Sequence, residues 1–85
     1  MKFKINVTQK HIDKGESSAT SCPIALALLD AGYDRPWVIC NSISFRNKQK
    51  EYVYISPTKK TNDFIDRFDD GLIVKPAIFT LIGGV

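Results

Sequence analysis

Residues 37–55 read WVICNSISFRNKQKEYVYI. Two alternating apolar runs flank a polar stretch, and the way they divide sets the number of strands. In 37–46, Trp37, Ile39, Ile43 and Phe45 fall on one face, with Asn41 interrupting them. Val38, Cys40, Ser42, Ser44 and Arg46 fall on the other. Period-two alternation marks a half-buried strand. Asn47-Lys48-Gln49 supplies a polar turn, and EYVYI at 51–55 returns as the second arm. The whole stretch is therefore expected to form one β-hairpin. Tyr52 and Tyr54 share a face opposite Val53 and Ile55, and the alternation leaves open which pair is outside.

Upstream, Asp34-Arg35-Pro36 reads as a turn. Before it, SCPIALALLDAG at 21–32 is a helix start, body and stop. Ser21 or Cys22 is the N-cap, Pro23 suits the first turn, and Gly32 follows the last turn near Ala31. Ile24, Leu28 and Ala31 make a stripe that Ala25 and Leu29 widen. Asp30 is the one charge in this stretch, so the helix is expected to pack on more than one side. Earlier still, KFKINVT at 2–8 alternates, with Phe3, Ile5 and Val7 inward and Lys2, Lys4 and Asn6 toward water. Thr8 caps a short helical turn that Gly15 ends, and Ile12 turns inward there.

Downstream, Ser56-Pro57 reads as N-cap and first residue of a helix that runs to about Asp69 and stops at Gly71. Phe64, Ile65, Phe68 and Leu72 form its apolar stripe; Asp63, Asp66 and Asp70 lie outside. A last strand spans about 73–82, with Ala77, Phe79 and Leu81 on one face. Pro76 puts its start on a sheet edge, and Gly83-Gly84 reads as a frayed tail. The order is β–short α–α–β–β–α–β. It predicts a single α+β domain over 1–85: a two-layer sandwich of about four antiparallel strands and two main helices.

Composition bounds the function. Of 85 residues, 44% are hydrophobic, which is globular, and twelve Lys and Arg against nine Asp and Glu give a net charge of +3. That excess permits a nucleic-acid partner without demanding one. No apolar run approaches about eighteen residues, so no membrane partner is expected. Two cysteines and no leader-like segment before the first strand point to a reduced, cytoplasmic location.

Few residues could carry chemistry. Cys22 sits at a helix start, where positive potential lowers a thiol pKa. Its only candidate base is His11, and a third group to orient that base is missing. Cys22, Cys40 and His11 lack the paired spacing of a zinc site. No catalytic residue, metal or cofactor is therefore assigned. The SSATS loop at 17–21 offers hydroxyls and backbone N–H groups to an anion, but GxxxxGK[ST] is absent. The strongest surface signal is Arg46, Lys48 and Lys50 beside Tyr52 and Tyr54, a set that suits a protein interface or a phosphate backbone with stacked bases. The second is the acidic helix face, Asp63, Asp66 and Asp70.

Three stretches, VTQKHIDKG at 7–15, SCPIALALLDAG at 21–32 and FIDRFDDG at 64–71, resemble a family of small uncharacterised bacteriophage and prophage proteins. The resemblance spans most of the chain except the hairpin, and it brings no functional residue with it. It implies a phage or mobile-element protein that binds and blocks a host protein or nucleoprotein complex, in the manner of anti-defence inhibitors such as anti-CRISPR proteins. The expectation is a non-enzymatic binder using Arg46, Lys48, Lys50, Tyr52 and Tyr54 as one contact and Asp63, Asp66 and Asp70 as another. The alternatives are a nucleic-acid binder using the basic hairpin and a cysteine-dependent enzyme centred on Cys22.

Overall fold

The computed structural model describes residues 2–84 and divides the run 37–55 into three strands. The elements are β1 (Lys2–Val7), α1 (Gln9–Lys14), α2 (Pro23–Asp30), β2 (Asp34–Ile39), β3 (Ser42–Arg46), β4 (Tyr52–Ile55), α3 (Lys59–Asp69) and β5 (Ala77–Gly84). The break expected nowhere in 37–46 falls at Cys40-Asn41, where Asn41 takes φ 68°. Asparagine tolerates that left-handed conformation because its short side chain bonds locally. Ile39 then pairs with Ser42, Val38 with Ile43 and Trp37 with Ser44.

That turn corrects the facing of the strand. Antiparallel pairing across a two-residue turn matches odd positions to even ones. Ile43 and Phe45 are buried, as expected, but on β2 it is Pro36 and Val38 that point inward. Trp37 and Ile39 face outward, 52% and 44% exposed. Residues 34–36 are also not a turn; they open β2, with a register shift between Asp34 and Trp37 and Arg35 at φ 50°. Pro36 is tolerated because β2 is an edge strand.

The fold is α+β, with three helices and one curled antiparallel sheet of five strands, not four, in the order β1-β5-β4-β3-β2. β1 and β5 share six paired positions. Among the described residues β4 and β5 meet at two, Tyr54 with Gly84 and Ile55 with Gly83. The expected frayed glycines are thus the junction that closes the sheet. β5 begins after Pro76, and over residues 77–82 it is laddered on one side alone, by β1, so its start lies on a free edge as the proline implied.

All three helices serve the inner face. α2 buries Ile24, Ala25, Ala27 and Leu28, while Leu29 and Ala31 of the expected stripe are exposed. α3 starts at Lys59 with Thr58 as N-cap, two residues later than Ser56-Pro57 implied, and the Asn62 amide donates to the Thr58 carbonyl. It buries Phe64 and Ile65; Phe68 is half-buried and Leu72 is exposed. Phe45 stands edge-on to Phe3 and leans on Tyr33, with centroids 5.1 and 4.9 Å away. The polar loop before α2 lies along the free edge of β2, where the Val38 amide donates to the Ala19 carbonyl at 2.8 Å. That contact occupies an edge group otherwise open to another chain.

Candidate binding surface

β4 settles the orientation of the tyrosines. Val53 and Ile55 are buried, so Tyr52 and Tyr54 face water, 41% and 66% exposed. Their rings lie roughly parallel, 6.4 Å apart. Register extends the patch: Tyr54 lies beside Ser44, and Ser44 beside Trp37. Trp37, Ser44 and Tyr54 therefore form a row across three strands, with Ile39 and Tyr52 flanking it. Trp37 and Ile39 were missed from sequence because the alternation runs in phase through the turn.

Of the hairpin cations, Arg46 lies beside Tyr52 but is already engaged. Its guanidinium grips Asp34 with two bonds, at 2.8 and 2.5 Å. That fork holds the Asp34 carboxyl below its usual range. Arg35, not singled out from sequence, donates to the Tyr52 hydroxyl at 3.4 Å. Lys48 and Lys50 are exposed on the β3–β4 turn. Buried Asn47 builds this turn by accepting from the Gln49 and Glu51 amides. Lys48 leans over the Tyr33 ring, 5.7 Å from its centre.

Asp63, Asp66 and Asp70 are exposed on or just after α3. Since α3 packs on the inner face of the sheet and the tyrosines point from the outer face, the two expected contacts lie on opposite sides. They do not form one surface.

Cys22 caps α2 as expected, but its thiol is buried among Val38, Phe64 and Ile65, with Asp69 beside it. Burial pushes its pKa up, and the Asp69 charge adds to the rise. Desolvation here outweighs the helix N-terminus, contrary to the expected lowering. His11 is occupied elsewhere. Its Nδ1 accepts from the Thr8 amide at 3.0 Å, completing a capping box, so the proton sits on Nε2 and is donated to Asp30 at 2.5 Å. α1 buries His11, and Ile12 turns inward as expected, half-buried against the core. Neither ring nitrogen is left to serve Cys22 as a base. The SSATS loop is likewise used internally: the Ser18 hydroxyl accepts from the Thr20 and Ser21 amides, and Ser17 donates to Asp69.

Two expected outcomes follow from these groups. Iodoacetamide on the native protein should modify exposed Cys40 first, and slowly, because Asp66 holds its thiol pKa up. Cys22 should react only as the domain opens; labelling at neutral pH faster than a free thiol would restore the enzyme reading. The second concerns acid. His11 and Arg46 depress the Asp30 and Asp34 carboxyls respectively. Depressed carboxyls contribute stability above the ordinary carboxylate pKa and lose it as pH falls through the folded value. Thermal melts should thus decline below about pH 4, and Asp30→Asn and Asp34→Asn should each flatten that decline. Unchanged acid limbs would show that these pairs do not couple to folding.

Among the described residues, no group of three or more His, Cys, Asp and Glu is placed to hold a metal ion. No described helix is long and apolar enough to cross a membrane. Comparison with protein-family models, curated proteins and solved structures finds no match.

Proposed function

We propose that the chain is a non-enzymatic binding domain that engages a host protein or nucleoprotein complex through the outer face of its sheet. One observation carries this reading: Trp37 and Ile39 on β2 and Tyr52 and Tyr54 on β4 share the outer face of the sheet on either side of β3, each more than 40% exposed. Water contact with such a patch costs about 25 cal/mol per Å² of apolar surface, which a partner recovers by covering it. Tryptophan and tyrosine are also the side chains that dominate binding energy at protein interfaces. The phage or mobile-element setting, and a blocking role of the anti-CRISPR kind, are supported by the resemblance of the three quoted stretches.

A protein surface is favoured over bare nucleic acid because Arg46, paired in register with Tyr52, is neutralised by Asp34, and Arg35 is turned onto the Tyr52 hydroxyl. Lys48 and Lys50 then sit at the rim, where they steer encounter more than they hold a partner. A partner that also used Asp63, Asp66 and Asp70 would have to wrap around the domain.

The test is a double variant, Trp37→Ala/Tyr54→Ala, in affinity capture from a host lysate with mass spectrometry. Capture of the main partner should fall at least about tenfold while the variant, its melt lowered by several degrees, stays cooperatively folded at the capture temperature. Charge reversal of the three aspartates reports whether the helix side contributes. Undiminished capture by the double variant sinks the proposal. Salt-sensitive binding of a single-stranded oligonucleotide, with no protein captured, replaces it with the nucleic-acid reading.

A further inference from the structure

We propose that the groove between α3 and residues 73–79 binds a small anionic amphiphile, a carboxylate carrying a short apolar tail. The groove exists because β5 begins only at Ala77. Residues 72–76 make no sheet ladder, and the chain passes beside α3 without closing over it. The resulting open cleft measures about 280 Å³.

Its floor and rim differ in chemistry. Phe64 and Phe79 meet edge-to-face at 5.1 Å beneath it, with half-buried Val74 and Ala77 beside them. The rim carries Lys60, Arg67 and Lys75 against a single carboxylate, Asp63. None of the three cations makes an ion pair among the described residues. Lys60 is already held in place: its ammonium donates to the Ile78 carbonyl at 3.2 Å and sits 5.3 Å from the centre of the Phe79 ring.

This pairing selects the ligand. An apolar floor alone would accept any greasy group. Cations without counter-charge beside that floor add attraction for an anion and repel a cation, and the low-dielectric wall strengthens both effects. The volume lies just below the usual range of about 300–1,000 Å³ for small-molecule clefts, which suits a short tail and excludes a docked helix. Neither serine, cysteine nor histidine lines the groove, and the site is proposed for binding alone. It involves none of the residues on the outer sheet face and stands apart from the function proposed above.

The test titrates sodium octanoate into the isotope-labelled full chain and follows methyl and amide resonances. Saturable shifts are expected at Ile73, Val74, Ala77 and the 60–67 segment. Octyltrimethylammonium should bind at least about tenfold more weakly, and Arg67→Glu/Lys75→Glu should lower octanoate affinity by about tenfold. Both substituted side chains are exposed, and the variant's own spectrum verifies its fold; Lys75→Glu alone is the fallback, with a smaller loss in the same direction. The proposal is overturned if octanoate shifts nothing saturably or shifts another region. It is equally overturned if the cationic analogue binds as well, if the charge-reversed protein keeps full affinity, or if only an acidic peptide occupies the groove.

Discussion

Gly83→Val is expected to be among the most destabilising single substitutions in the domain, with a sharply lowered urea midpoint. A Cβ on Gly83 would stand 2.4 Å from the Tyr54 carbonyl oxygen, 2.7 Å from Ile55 Cγ1 and 3.2 Å from Ile55 Cα. Backbone and a buried side chain cannot step aside as a surface lysine would. The strands must separate, and among the described residues two paired positions join β4 to β5. Overpacking alone costs about 1–3 kcal/mol, and losing the junction raises the total to about 3 kcal/mol or more. An 85-residue domain has only about 4–13 kcal/mol to lose. Gly83→Ala carries the same clash with a smaller side chain and should show a lower urea midpoint. Gly84→Ala is the internal control, since nothing lies within 4 Å of a Cβ there. Equal midpoints for the two alanine variants would contradict the close approach of the strands.

Phe45→Ala should be the costliest truncation in the core, by about 3–5 kcal/mol. The ring is fully buried on β3 and touches both Phe3 and Tyr33, so its removal leaves a cavity bounded by two strands and the segment after α2. The informative comparison is Trp37→Ala. Had the alternation of 37–45 run unbroken, Trp37 and Phe45 would share a buried face and cost alike. With the turn at Cys40-Asn41, Trp37 lies on the outer face and its truncation should cost only about 1 kcal/mol. Denaturant melts of the two variants, side by side, decide which facing is right; equal losses would overturn the five-stranded register.

How much of this was legible in the sequence varies along the chain. Where one period governs a whole element, the residues announced it: Phe3, Ile5 and Val7 are all buried on β1, and Thr8, Cys22 and Pro23 hold the helix starts assigned to them. The second hairpin turn was hidden because two residues preserve the numerical rhythm while reversing the chain. Asn41 was its only mark, and it read as an interruption. Gly83 and Gly84 were hidden differently. Poor strand formers by propensity, both nonetheless pair with β4, and Gly83 is required there because the neighbouring backbone leaves no room for a Cβ, which is a fact about the fold and not the segment. At the candidate surface, Tyr52 and Tyr54 were found but Trp37 was not, for the same reason as the turn. The burial of Cys22 and the engagement of His11 were only half legible. Missing partners could be read from composition, but Asp30 takes the second ring nitrogen of His11 only once α1 meets α2, beside the local capping box with Thr8.

The pairing of β1 with β5 has a consequence for biosynthesis. β1 finds its neighbour only when residues 77–82 have been made, with the elements from α1 to α3 emerging in between. Until then Phe3, Ile5 and Val7 have no ladder to join, and β4 has no closing strand. The nascent domain must therefore remain incompletely folded until β5 emerges. Chains halted before Ala77 should be open to protease, and the emerging β1 is the segment a ribosome-associated chaperone would find exposed longest.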